Sequence, residues 1–80
     1  MHVDVDVIKH WILMDGREDK ERAPGFLDLS LSRLGQLLKQ HGPKSFKALA
    51  VARFVVENSE IELKECGKQQ FLRLRNDPGL

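Results

Sequence analysis

The sequence predicts a small α+β domain in which three helices pack on a C-terminal β-hairpin. Three observations point there. A leucine-rich helical segment and a second apolar helical segment are joined by a few residues around Gly42 and Pro43. Two alternating strands then flank Gly67-Lys68 in a single self-consistent register. The whole chain is only 80 residues, which leaves room for one core and no second domain.

The first helix is expected over residues 1–14. Val5, Ile8, Trp11 and Ile12 recur at helical spacing, and Asp4 or Asp6 is placed to accept the free N–H groups of its first turn. His2, Asp4 and Asp6 also alternate with Val3, Val5 and Val7, which is strand periodicity. The 3–4 step continues past Ile8, so helix is the favoured reading. Residues 15–25 are charged and polar and end in Ala-Pro-Gly, the composition of a solvated loop.

Residues 26–58 hold the helix-turn-helix. Leu31, Leu34, Leu37 and Leu38 share a helical face, with Ser30 or Ser32 as N-cap and Gly42-Pro43 as the stop. Ser45 is expected to cap the next helix, with Phe46, Leu49, Ala50 and Phe54 as its buried stripe and Asn58 at its end. Two short helices joined by residues 41–45 read as a helix-turn-helix. Phe26 to Leu29 is a candidate short strand ahead of them.

The hairpin occupies residues 60–75. Glycine first in a two-residue turn is the type II′ signature, so Gly67-Lys68 sets the register. Cys66 then faces Gln69, Leu63 faces Leu72, and Ile61 faces Leu74. Glu62 meets Arg73, Glu60 meets Arg75, and Lys64 lies beside Phe71. A one-residue slip would lose both the aliphatic and the charge pairings. Helix, loop, helix-turn-helix and hairpin is the order of a winged helix over residues 1–80.

Composition narrows the function. One cysteine excludes an intrachain disulfide and a Cys-rich zinc site. The apolar run 11–14 is far too short to span a bilayer. The acidic N-terminus does not fit a signal peptide. The chain therefore reads as soluble and intracellular, cytoplasmic in preference to nuclear, and as one module of a larger protein. Residues 1–30 carry four bases and seven acids, whereas residues 31–80 carry nine bases and five acids. That asymmetry points the second half toward an anionic partner.

Candidate chemistry is sparse. His2, Asp4 and Asp6 are metal-ligand types at a fraying end, where capping is the default. Cys66 beside the turn has no histidine nearby in sequence to activate it. No phosphate loop or nucleophilic triad is present. A non-catalytic role without cofactor, metal or small-molecule substrate is expected. The informative residues are basic: Lys39, His41, Lys44 and Lys47 around the helix-turn-helix corner, Arg53 further along the third helix, and Lys64 and Lys68 on the wing. Lysine offers point-charge contact to phosphate. His41 is also well placed to complement a helix C-terminus. The third helix offers few Asn, Gln or Arg to read base edges, which disfavours duplex DNA readout. Its surplus of valines, Val51 and Val55 above all, leaves open a helix sandwiched between wing and first helix, or an apolar partner surface.

Leu29-Ser30-Leu31-Ser32-Arg33-Leu34-Gly35-Gln36-Leu37-Leu38, then Phe46 and Leu49, the acidic exit Glu60-Ile61-Glu62-Leu63 and the strand Phe71-Leu72-Arg73-Leu74-Arg75 resemble the OST-HTH (LOTUS) domains. The likeness covers residues 26–75. Two features depart from the family pattern: Gly42-Pro43-Lys44-Ser45-Phe46 stands where the family often has an Asp-rich approach, and the preceding loop is long. The resemblance implies RNA binding, notably of structured or G-rich RNA, within a larger RNA-regulatory protein. In some members it implies instead contact with a DEAD-box helicase, and a protein-interaction module or homodimer is the alternative reading.

Overall fold

Helix α1 (Val5–Asp15) begins where the Asp4 carboxylate accepts the N–H of Asp6 at 2.9 Å. It buries Ile8, Trp11 and Ile12, one stripe at 3–4 spacing, and this periodicity prevails over the strand-like start. The computed structural model describes residues 3–76, so His2 lies outside the described residues. Helix α2 (Leu31–His41) is capped by the Ser30 hydroxyl, which accepts the Arg33 N–H at 3.1 Å, and it buries Leu34, Leu37 and Leu38. Its stop is Gly42, at φ +81°, whose N–H donates to the Leu38 carbonyl at 2.7 Å.

Helix α3 (Ala48–Glu57) departs from expectation twice. Its N-cap is Lys47, with no side-chain cap, and Ser45 lies in the preceding turn. Its buried stripe is Val51, Ala52 and Val55, while Phe46, Leu49, Ala50 and Phe54 are half-buried. The helix is apolar on almost every side, so periodicity alone left its phase undetermined. The phase is marked by Arg53 and Glu57, four residues apart and both exposed. The helix ends where both the N–H and the side-chain amide of Asn58 donate to the Phe54 carbonyl.

Strands β1 (Phe26–Ser30), β2 (Glu62–Cys66) and β3 (Gln69–Arg75) form one antiparallel sheet in the order β1-β3-β2. At the hairpin turn Gly67 has φ +61°, and Lys68 has no positive φ, the type II′ pattern. Glu62 to Cys66 pair with Arg73 to Gln69 in the expected register. The ladder stops short of the expected Ile61–Leu74 and Glu60–Arg75 pairs. Residues 59–61 are held to the end of α3 instead. The Ser59 hydroxyl donates to the Val55 carbonyl at 2.6 Å and accepts the Ile61 N–H at 3.2 Å. Ile61 is nonetheless buried.

On the inner sheet face Leu29, Leu72 and Leu63 lie side by side across the three strands, with Leu27 beside Leu74. They meet Ile8, Trp11, Leu34, Leu38, Val51 and Val55 in one core. Helix α3 packs between α2 and β2. Three helices and a three-stranded antiparallel sheet in this order are winged-helix-like in topology. The segment expected as a solvated loop over 15–25 is, past Asp15 at the end of α1, a largely exposed loop that is also pinned to the sheet. Arg17 exchanges two 2.9 Å backbone hydrogen bonds with Asp28, Ala23 is buried, and the Gly25 carbonyl accepts the Asn76 N–H at 2.8 Å.

Candidate nucleic-acid interface

Between Asp28 and Glu57 the chain contains no acidic residue, yet it carries Arg33, Lys39, Lys44, Lys47 and Arg53. Arg33 is taken up by Asp15 at 3.2 Å and by Gln36 at 3.0 Å. The other four are exposed, and among the described residues none of them has an ion-pair partner within 4.0 Å. Lys39 stands in the last turn of α2. Lys44 lies in the turn that follows, which the Phe46 N–H closes onto the Pro43 carbonyl. Lys47 caps α3, whose first-turn N–H groups have no side-chain acceptor, so positive charge and free donors coincide there. Arg53 is on the solvent face of α3.

The remaining expected site residues separate from this corner. The His41 ring leans on Trp11, with centroids 5.9 Å apart and planes tilted by 37°, so it is engaged by α1. Its place in the last turn of α2 suits the helix dipole as expected. Lys64 lies opposite Phe71 on the outer sheet face, whereas α3 packs on the inner one. Its ammonium is 2.9 Å from the Glu62 carboxylate. Lys68 is exposed at the wing turn. Val51 and Val55 are each 0% exposed, so the partner surface drawn through them does not exist on this fold. They fill the core between α2 and the sheet, which is why the helix needs more apolar residues than one narrow stripe.

The outer sheet face is organised differently. Arg17, Asp28, Arg73 and Glu62 stand opposite one another in a row that alternates in sign. Arg73 grips Asp28 through two parallel bonds, Nε to Oδ1 at 2.8 Å and Nη2 to Oδ2 at 3.0 Å, and its guanidinium lies 5.4 Å from the centre of the Phe26 ring. Donating these hydrogen bonds to the Asp28 carboxylate raises the Arg73 pKa. Charge pairing thus differs from the cross-hairpin scheme read from sequence. Glu62 is bonded to Lys64 and Glu60 to Lys9, each at 2.9 Å, and these hydrogen bonds hold both carboxyls below their ordinary value of 4.5. The reason is geometric. Once β1 joins β3, Asp28 competes for Arg73 with planar bidentate geometry, and Glu60 falls outside the ladder. A cleft of 660 Å³ between residues 15–22 and this face is lined by as many acids as bases, so it offers no net attraction to an anion.

Two features of the sequence mark this geometry: the acid-free run 29–56, and the Arg53/Glu57 pair on the solvent side of α3. Among the described residues no cluster of three His, Cys, Asp or Glu side chains is arranged to hold a metal ion, and Asp4 acts as a helix cap. Cys66 is a free, exposed thiol. Among the described residues no helix is long and apolar enough to cross a membrane. No protein-family model, curated protein or solved structure matches this chain.

Proposed function

We propose that this chain is a winged-helix module that binds RNA without catalysing a reaction. Lys39, Lys44, Lys47 and Arg53 contact phosphates around the α2–α3 turn, and Lys68 contacts them at the wing tip. The observation that carries this reading is the uncompensated charge of the corner. Four exposed cations stand on a stretch with no acid, and among the described residues none of the four is in an ion pair. Phosphate contact positions a nucleic acid without specifying its sequence. The solvent face of α3 supports that limit, since beside Arg53 it presents Leu49, Ala50 and Glu57 rather than base-reading amides. Sequence-specific duplex DNA binding is correspondingly disfavoured. The resemblance of residues 26–75 to OST-HTH domains favours structured or G-rich RNA, and a place within a larger cytoplasmic RNA-regulatory protein. His41 and Lys64 are assigned secondary roles, the first because it leans on Trp11 and the second because Glu62 holds it.

Fluorescence anisotropy with labelled single-stranded, duplex and G-rich RNA, and with duplex DNA, tests the proposal. Binding is expected to weaken steeply with salt, with a log–log slope of roughly −3 for four or five phosphate contacts on a single strand. Lys44→Glu/Lys47→Glu is expected to abolish it. If the parent chain binds no probe at high protein concentration and low salt, the proposal fails, and a helicase or other protein partner becomes the object of search.

A further inference from the structure

The large hydrophobic residues most exposed among the described residues all lie on α1: Val7 at 42%, Leu13 at 51% and Met14 at 70%. Val7 and Met14 are seven residues apart and so fall on one stripe, with His10 between them and Leu13 at its edge. This stripe runs into a cleft of 390 Å³ between α1 and the α2–α3 turn. Its apolar lining includes Val3, Val7, Trp11 and Pro43, and Asp4 and His41 also line it. At that same end Asp4 and Asp6 have no ion pair within 4.0 Å among the described residues, whereas Lys9 is held by Glu60 and Asp15 by Arg33. An apolar helix face therefore ends beside two carboxylates that have no ion pair among the described residues.

We propose that this face is a second binding site, adjoining the basic corner across the α2–α3 turn, for an amphipathic helix of a protein partner that carries bases in its last turn. Antiparallel packing would bring that last turn over Asp4 and Asp6. It would also align the C-terminal dipole end of the partner with the N-terminal end of α1. One apolar side chain of the partner enters the cleft against Val7 and Pro43, and the others cover Leu13 and Met14. A second copy of this chain fits poorly. The last turn of α1 carries no base, so an antiparallel α1 pair would leave both acidic ends unanswered. The proposal does not depend on RNA binding.

The test uses two synthetic helical peptides of about three turns, with leucines at helical spacing and either lysines or glutamates in the last turn. Affinity is read by calorimetry with the full chain. The lysine-ended peptide is expected to bind and the glutamate-ended one to bind more weakly. Met14→Glu, at a position facing solvent, is expected to weaken binding about tenfold or more through lost apolar burial. Asp6→Lys is expected to weaken the lysine-ended peptide about threefold and to reverse the preference between the two. Circular dichroism verifies that each variant keeps the parent fold. Equal binding by parent and Met14→Glu, equal binding of both peptides, or no binding of either overturns the proposal. So does a dimer of the chain in sedimentation that Met14→Glu abolishes, because it would place a second copy on this face.

Discussion

The outer face of the sheet and the corner between α2 and α3 are both rich in charge, yet they are built by opposite rules. On the sheet, Arg17, Asp28, Arg73 and Glu62 alternate across neighbouring strands, and Arg73 commits the Nε–Nη2 edge of its guanidinium to Asp28. At the corner, Lys39, Lys44, Lys47 and Arg53 stand on an acid-free stretch, exposed and without ion pairs among the described residues. Paired charges on a ladder hold register, because like charges placed opposite one another are penalised. Unpaired surface lysines add nothing comparable to stability. The two regions therefore separate charge that is paired within the fold from charge that is not.

Reversing the corner is the largest test of that division. Lys44→Glu/Lys47→Glu is expected to lower RNA affinity about 100-fold, while the thermal midpoint stays close to that of the parent. A large loss of stability instead would mean that the corner belongs to the fold. Next comes the centre of the ladder. Asp28→Ala strips Arg73 of a bidentate charged partner and is expected to destabilise by about 1.5–3 kcal/mol, read from urea denaturation, with RNA affinity unchanged. That the pair is only partly buried, with side chains 23% and 19% exposed, favours the lower part of this range.

Smaller effects sharpen the contrast. Lys64→Ala removes an exposed ion pair of the kind that solvent screens strongly. It is expected to leave stability and RNA affinity nearly unchanged, because Lys64 lies on the sheet face away from α3. A marked loss of RNA binding would enlarge the interface to include the outer sheet. The smallest effect is on acid stability. Hydrogen bonds from Lys9 and Lys64 depress the carboxyls of Glu60 and Glu62 below 4.5. A depressed carboxyl stabilises the fold above its unfolded value and loses that contribution as pH falls through the folded one. Denaturation midpoints of the parent and of Glu60→Gln/Glu62→Gln are thus expected to differ slightly near neutral pH and to converge below 4.5. Both glutamates are exposed, so high salt should shrink the difference.

Local chemistry made much of the fold legible. Asp4, Ser30, Gly42 and Asn58 act at helix ends as their side chains or backbone freedom dictate, and Gly67-Lys68 set the hairpin register. These features depend on neighbours within a few residues, so the sequence by itself determined them, along with the presence of a basic, acid-free corner. The tertiary structure decided the phase of α3, which the sequence marks only through Arg53 and Glu57, because a helix apolar on nearly all sides is oriented by the two surfaces that compete for it. It buried Val51 and Val55, and it left Val7, Leu13 and Met14 exposed on α1. It also chose the ion pairs. Adding β1 beside β3 brought Asp28 to Arg73, a partner 45 residues away. Long charged side chains take whichever partner the assembled sheet offers, and that depends on contacts between segments that no local pattern encodes.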